Sequence, residues 1–592
     1  MAPDALAARE PATAEGLGEP RGAPPRAGAL LARPWAIAVA VAVPLAVLYL
    51  ALEPPSGDLA AATYRSDQFA RVGLTLWDNG WYGGHYLPGY SLLAPALGAL
   101  LGNRVLLTLC TVGAAGLFGL IAPRTFAAGG ARIAAGSFAL GISVTMLSGR
   151  VAFGLGLLVG LLAVVALQRG RVPIALALAV LTSLASPVAG AFLALAGLAY
   201  ALTGGARRGL AVAAAALAPI LALTLAFPEG GWEPFAPSLF WPGLAGVALI
   251  ALLLPRVAGD LPPRTARTLA WGAWLYALAL IGAYALRTPV GGNAARLGAL
   301  FAAPLVAGAL WGRRRPTEKE GPDRSRETRA FGASPRFGQP ASGWLRHPLV
   351  LLALAIVLLY WQLETPLHDV SELSGDPSVH AAYYAPLLRE LEHRAHGAPL
   401  RVEVPMMGSH WESAYLAEHS SILLARGWER QLDTRYGARF YEGPALTASA
   451  YRAWLHENAV AYVALPDVRL DYSAAAEGRL IARGLPYLRG VWRGPHWRLF
   501  AVVGAPPLAA VPAVLTGVGA DSFTLAAPRP GSYAVRVRFT PYWALLRGSG
   551  CVRAAPGGWT VLDARAAGAI RVGIAFSLAR VFDHGPRCTP SP

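Results

Sequence analysis

Three acidic residues, Asp58, Asp67 and Asp78, fall in one short interval of the chain, together with Arg65, His85 and a crowd of aromatic rings. Residues 77–91 of that interval read WDNGWYGGHYLPGYS and stand between two almost purely apolar stretches. A carboxylate at a lipid–water boundary can take a proton from an attacking hydroxyl. Arginines hold phosphate oxygens through bidentate hydrogen bonds. Arg65 and Arg71, Arg150 after Ser148-Gly149, and Arg296 after GGNAA are the candidates for that role; a single snorkelling side chain is the competing reading. Asp58 also has two readings. One is the N-cap of the helix that follows, the other a carboxylate facing a cavity. Trp77, Trp81, Tyr82, Tyr86 and Tyr90 suit an interfacial belt. Gly83-Gly84, His85 and Pro88-Gly89 between them build tight, non-helical turns instead, which would let the rings cover a polar cavity or stack on the apolar face of a sugar.

The elements that position these residues are apolar. Of 592 residues, 55% are hydrophobic and only 14% charged, and the mean hydropathy is +0.44. A soluble chain of this length carries roughly 25% charged residues, so the composition is that of a polytopic membrane protein. Apolar segments fall at 35–52, 104–121, 131–147, 151–167, 172–186, 188–203, 209–227, 239–254, 268–286, 294–311 and 347–363. The net charge of +17 is distributed along the membrane-flanking loops and one linker, which argues against a nucleic-acid partner. With the N-terminus in the cytoplasm, the inward connections hold Arg124 and Arg132, Arg169 and Arg171, Arg207 and Arg208, and Arg256, Arg264 and Arg267. The linker GRRRPTEKE continues the same bias. This alternation predicts about eleven spans, an uncleaved signal anchor preceded by Arg21, Arg26 and Arg33, and an extracytoplasmic C-terminal half.

The chain then divides as follows: a disordered cytoplasmic segment 1–33, a transmembrane domain 34–311 with a long outer loop 53–103, a disordered basic linker 312–346, and a last transmembrane helix 347–365. Residues 366–504 mix helical and strand patterns, an α/β domain, and 505–592 alternate with a period of two between Pro-Gly and Gly-Gly turns, a β-sandwich signature. In the loop, Leu59, Ala62, Phe69, Val72 and Leu76 form one apolar face, which predicts an amphipathic helix lying on the membrane surface. Glu229 and Glu233, in FPEGGWEPFAPSLFW, lie on the same outer side, as a solvated loop or as metal carboxylates.

Gly57-Asp58 shortly after the first span, Trp81-Tyr82-Gly83-Gly84-His85, Pro88-Gly89-Tyr90 and the ending Leu100-Leu101-Gly102 together resemble the GT-C superfamily of polytopic glycosyltransferases. The chain is also similar to polytopic membrane proteins of high-GC bacteria. The resemblance implies transfer of a sugar from a polyprenyl-phosphate donor to a cell-envelope glycan or lipid acceptor on the outer face of the plasma membrane. Asp58, with Asp67 as the alternative, becomes the catalytic carboxylate; Trp81, Tyr82, His85, Tyr90, Arg65, Arg150 and Arg296 become substrate-binding residues. Charge on the departing phosphate would be offset by Arg296 or by a divalent cation, Mg2+ or Mn2+. The contiguous acidic pair of some GT-C enzymes is missing here. A transporter or flippase of a lipid-linked precursor and a non-catalytic envelope assembly protein are the competing functions.

In the C-terminal half, His410, Glu412, Arg426, Glu429, Arg430 and Asp433 suit a structural ion-pair network or an acceptor site. Trp543, Trp559 and Tyr542 suit a core or a carbohydrate-stacking face. Cys110 lies in a span, while Cys551 and Cys588 form an even pair in an oxidising compartment and are expected to be disulfide-bonded. Walker A, dinucleotide, HExxH and zinc-type CxxC patterns do not occur, so an ATP-driven pump and a zinc protease lack their motifs.

Overall fold

A computed structural model describes residues 32–257, 261–311, 348–418, 421–441 and 446–589. The expectations of a disordered N-terminal segment and of a disordered linker fall outside these residues, apart from Ala32 and Arg33. Every apolar segment read from the sequence is helical: α1 (Pro34–Leu52), α4 (Asn103–Ile121), α5 (Ala128–Val144), α6 (Val151–Gln168), α7 (Val172–Ala185), α8 (Pro187–Tyr200), α9 (Ala206–Ala226), α10 (Pro237–Val257), α11 (Pro263–Ala285), α12 (Ala295–Trp311) and α13 (Pro348–Leu373). Two helices of the first loop, α2 (Gly57–Val72) and α3 (Ala94–Leu101), lie between the first two of these.

Among the described residues, seven helical stretches are long and apolar enough to cross a membrane, by length and composition. One of them runs from Pro187 to Ala226, but its backbone leaves helical geometry at Thr203 and Gly204, where α8 passes into α9. Val172–Ala185 and Pro237–Leu252 are shorter apolar helices. Between α7 and α8 the chain is extended at Ser186, whose hydroxyl caps α8 by accepting from the Ala189 N–H. Small side chains fill the helix contacts. Ala38 and Ala42 of α1, Ala114 and Ala115 of α4, and Ala131, Ala134 and Ala135 of α5 are completely buried in one cluster, which lets the backbones approach closely where lipid offers no hydrophobic driving force.

The C-terminal half holds an α/β unit and a β-rich unit. In the first, strands β3 (Leu400–Glu403), β4 (Ile422–Leu424), β5 (Tyr462–Pro466), β6 (Leu488–Arg493) and β7 (Trp497–Val502) form one sheet in the order β4-β3-β5-β7-β6. The β4-β3-β5 part is parallel and the β5-β7-β6 part antiparallel. The second unit has two open four-stranded sheets. Strands β10 (Gly531–Arg538), β13 (Trp559–Ala564), β12 (Gly550–Ala554) and β15 (Arg587–Cys588) make one; β11 (Trp543–Arg547), β14 (Gly568–Ile574), β9 (Ser522–Ala527) and β8 (Val514–Val518) make the other. Val535, Val537 and Leu562 from one sheet share a core with Phe523, Leu525 and Val572 from the other. Trp543, Trp559 and Tyr542 are also buried, so they present no open face to a carbohydrate.

The first loop is locked between the two units. A two-residue hairpin, β1 (Trp77–Asp78) with β2 (His85–Tyr86), presents its tip to the α/β sheet. There the Leu424 N–H donates to the Gly80 carbonyl at 2.9 Å, and the Tyr82 N–H donates to the Leu424 carbonyl at 3.1 Å. The segment thereby covers the edge of β4, which would otherwise carry unpaired backbone groups. On the other side, the Asn79 N–H donates to the Ala520 carbonyl and the Arg538 N–H to the Gly83 carbonyl, both at 2.8 Å.

This docking corrects the expected surface-lying helix. Arg65, Ser66 and Gln68 of α2 are buried while Val72 is exposed, because α2 is covered by protein on several sides.

Cys551 and Cys588 are disulfide-bonded and pair across β12 and β15, closing 37 residues of sequence. Loop closure of that length restricts the unfolded chain by about 3–4 kcal/mol in the chain-entropy treatment. Replacing both cysteines with serine should therefore destabilise the β-rich unit by about 2–4 kcal/mol, read as a lower denaturation midpoint. Free thiols at both positions in protein purified without reductant would contradict the bond.

Candidate active site

Asp58 begins a cluster of charged groups at the end of the helix bundle nearest the C-terminal half. Helix α2 starts at Gly57 with Ser56 as its N-cap residue, so Asp58 sits inside the first turn and its side chain is not the cap. The carboxylate instead accepts from Arg150 Nε at 3.0 Å. Both partners are about three-quarters buried. Arg150 also reaches Asp369 at 3.9 Å, and Asp369 accepts from the Ser148 hydroxyl at 2.6 Å. Residues 148–150 can lie this close to α2 because Gly149 has φ of +68° and no side chain. A Cβ there would stand 2.3 Å from Ser56 Oγ and 3.0 Å from the Leu59 backbone nitrogen.

The C-terminal half closes over the same turn. A Cβ on Gly57 would meet the His410 ring at 3.1 Å. His410 stacks on Trp428 with ring centroids 3.4 Å apart, and its Nε2 lies 3.8 Å from Asp471. Burial, aided by nearby Arg430, pushes its imidazole down to about 4 against the pull of Asp471, so the ring is neutral at physiological pH. Arg430 pairs with both oxygens of Asp471, at 3.0 and 2.8 Å. Burial alone would raise Asp471, but this pairing more than reverses it and holds the carboxyl well below its ordinary range.

Arg296 lies at the junction between this cluster and the apolar bundle. Its guanidinium sits 5.3 Å from the centre of the Phe153 ring, in the field of Arg150, Asp58, Tyr90 and Glu233. Among the described residues no carboxylate is ion-paired with it. Phe153 in turn lines an apolar cavity of about 360 Å³ among α4, α6, α8, α10, α11 and α12, together with Phe118, Phe192, Tyr276 and Phe301. Glu233 is held by its backbone, its N–H donating to the Thr288 carbonyl. Desolvation raises its carboxyl to about 7, with Asp58 adding to the rise and Arg430, Arg296 and Arg150 opposing it. Glu229 faces elsewhere and accepts from the Tyr86 N–H.

The substrate-binding residues expected from sequence separate into two groups. Tyr90, half-buried, stays near the cluster and carries the Arg65 guanidinium 4.0 Å from its ring centre. Trp81, Tyr82 and His85 are corrections: each is no more than 1% exposed. Trp81 donates from Nε1 to the Ser413 carbonyl at 2.9 Å and Tyr82 from its hydroxyl to the Gly427 carbonyl at 2.6 Å. His85 stacks on Trp81 at 5.6 Å. Their rings therefore bind the loop to the C-terminal half, with no face left for a sugar. Arg65 is likewise buried, its Nη2 donating to Glu429 at 2.5 Å while Nε and Nη1 have no hydrogen-bond partner among the described residues. Arg150 is held between two carboxylates and serves Asp58 rather than standing free for a phosphate.

Asp67 does not join Asp58. Nine positions on an α-helix are about two and a half turns, which puts the two carboxylates on opposite faces of α2, and Asp67 lines a different cleft. Asp369 was not a candidate from sequence; the signal was an acid in ETPLHD just past the last apolar run, mirroring Asp58 after the first. Among the described residues no group of three or more His, Cys, Asp or Glu is placed to hold a metal ion. The space between Asp58 and Asp369 is taken by the Arg150 guanidinium, a donor set that does not suit a divalent cation.

Of the polar residues singled out in the α/β unit, Arg426 and Asp433 belong to a buried network. Arg426 donates to both Asp433 oxygens, to Ser473 and to Glu477. No family model matches the chain, and no curated protein matches it.

Asp78 anchors the loop that covers the site. It is 1% exposed and accepts from the Tyr64 hydroxyl at 3.0 and 3.1 Å and from the Gly80 N–H at 3.0 Å. Burial outweighs these bonds and raises the carboxyl from 3.8 to about 6. The folded state therefore binds the proton more tightly than the unfolded chain. The resulting stability is full below about pH 4 and is lost as pH rises through about 6, by about 3 kcal/mol. Denaturation of wild type and Asp78→Asn across that window should show the wild type losing about 3 kcal/mol more than the variant as pH rises; parallel profiles would contradict it.

Proposed function

We propose that the chain is a membrane glycosyltransferase that moves a sugar from a polyprenyl-phosphate donor to a cell-envelope glycan or lipid acceptor, with inversion at the anomeric carbon. The observation that carries this reading is the junction at Phe153. On one side is a cavity lined by apolar side chains, and on the other are Arg296 and the Asp58–Arg150 pair. A long isoprenoid ends in a charged phosphate, and this succession of environments suits that one molecule. The prenyl chain occupies the apolar cavity, the phosphate meets Arg296, and the sugar extends toward Asp58.

In the reaction, the acceptor hydroxyl attacks the anomeric carbon while Asp58 takes its proton. The bond between the anomeric carbon and the phosphate oxygen breaks, and the polyprenyl phosphate leaves with the electron pair. Arg296 stabilises the charge that develops there, at a fixed position in a poorly hydrated site. Arg150 orients Asp58 through its Nε–H, which donates to the carboxylate at 3.0 Å. One displacement requires a single catalytic carboxylate and no second one as nucleophile. The neutral His410 ring and Trp428 wall the site on the side of the α/β unit.

The same proposal includes eleven crossings, with the N-terminus in the cytoplasm and the C-terminal half outside, folded as an α/β domain and a β-sandwich. The arginine bias of alternate connections supports this sidedness, as does a disulfide in the C-terminal unit. Clustering of the charged groups at one end of the bundle favours a transferase over a transporter, whose substrate groups gather at the bilayer midplane.

Transfer of radiolabelled sugar from a panel of polyprenyl-phosphate sugars, in purified protein, tests the assignment. Asp58→Asn should lower the rate by about 10²–10⁴-fold while donor binding persists. Arg296→Gln should weaken binding of undecaprenyl phosphate by about 10–100-fold. Full transfer by the Asp58 variant, or cysteine labelling that places residue 58 in the cytosol, would eliminate the mechanism.

A further inference from the structure

The face of α2 opposite Asp58 lines a cleft of about 1060 Å³ between the end of the bundle and the C-terminal half. Thr63, Ser66 and Asp67 stand on its α2 side, and Asp376, Trp411 and Tyr415 on the other. We propose that this cleft binds the acceptor as a neutral, polyhydroxylated glycan; the proposal rests on the transferase reading and names the substrate class of its second site.

Three observations carry it. The first is the supply of hydrogen-bonding groups. Asp67 makes no hydrogen bond or ion pair among the described residues, and Asp376 uses only its Oδ1, to cap Ser378. Both are acceptor-only carboxylates. Arg104, the cation of the cleft, is occupied by the Glu53 and Pro54 carbonyls. The two unclaimed carboxylates suit a ligand rich in O–H donors and disfavour an anionic one. The second is the floor of the cleft. Trp411 and Tyr415 stack with centroids 5.0 Å apart, and the Trp411 indole, 7% exposed, has an Nε1–H without a partner among the described residues. The half-buried Tyr415 ring, backed by the Trp411 indole, in a cleft that also holds two carboxylates suits a sugar, whose faces are apolar and whose edges are hydroxylated.

The third is the relation to the first site. Consecutive residues divide between the two: His410 packs on Gly57 beside Asp58, and Trp411 lines the cleft. Pro55 and Leu59, which flank Asp58 in sequence, also line it. A glycan lying in the cleft would therefore direct one end around the first turn of α2, toward the carboxylate that activates its hydroxyl. The charges of the two sites are complementary to the two substrates. Arg296 serves the phosphate-bearing donor, while Asp67 and Asp376 serve the uncharged acceptor.

Saturation-transfer NMR on the full chain in nanodiscs tests this, with neutral gluco-, manno-, galacto- and arabino-oligosaccharides as probes and undecaprenyl phosphate as the donor-side control. At least one oligosaccharide should bind. Asp67→Asn should weaken that binding about tenfold, Asp67→Lys should abolish it, and neither should change undecaprenyl phosphate affinity. Absence of binding across the oligosaccharide panel, or equal binding by wild type and Asp67→Asn, overturns the acceptor cleft and leaves the donor assignment standing. Oligosaccharide binding that depends on Asp67, with no binding of undecaprenyl phosphate, keeps the cleft and removes the transferase reading.

Discussion

Docking of residues 77–86 between the two C-terminal units is the constraint on which the rest of the structure depends. Gly80 and Tyr82 add to the edge of β4, Asn79 and Gly83 bond the β-rich unit, and Asp78 ties the hairpin back to α2 through Tyr64. A loop bonded on both sides cannot move independently of either unit. It fixes α2 under the C-terminal half, and α2 carries both Asp58 and Asp67. The rings of this segment do the work of a core: Trp81 packs between Tyr64 and His85, and Trp77 packs on Trp543. Their burial makes the interface expensive to open, because each ring would re-expose a large apolar area.

Around that frame the buried arginines follow one rule, that each is given hydrogen-bond acceptors. Glu429 sits against Arg65, Asp433 against Arg426 and Asp471 against Arg430, while Arg401 and Arg538 donate to backbone carbonyls. Breaking one of these buried pairs would leave an uncompensated charge, a cost of about 3–5 kcal/mol, so such pairs are poor ligand sites. Arg296 departs from the rule. Its neighbour is an aromatic ring at the mouth of an apolar cavity. Asp58 is intermediate, paired with Arg150 yet still partly open to solvent.

The loop's chemistry could be read from residue types, but not its orientation. Aromatic rings between glycines and a proline describe a sugar-binding surface and a buried interface equally well, because both need large flat side chains on tight turns. The outcome for Trp81, Tyr82 and His85 was decided by β4, more than 300 residues further along the chain. For Asp58 the cap reading was removed by Ser56 at the cap position, and the carboxylate pairs instead with Arg150, through a glycine whose positive φ lets two segments touch. Asp369 escaped notice because nothing local links it to the first loop.

Local composition determined the elements: eleven apolar helices, a mixed α/β stretch, a period-two stretch with its cysteine pair, and the charged residues at the helix ends. Hydrophobic periodicity is a property of neighbours a few positions apart, so it can be read along the chain. Which carboxylates share a site was decided only in three dimensions. Helical pitch sent Asp58 and Asp67 to opposite faces of one helix, and packing then gave one face arginines and the other a polar cleft. Distances across 92 residues, from Asp58 to Arg150, or 364, from Arg65 to Glu429, depend on how the elements dock, and that depends on the complementary shapes of whole surfaces.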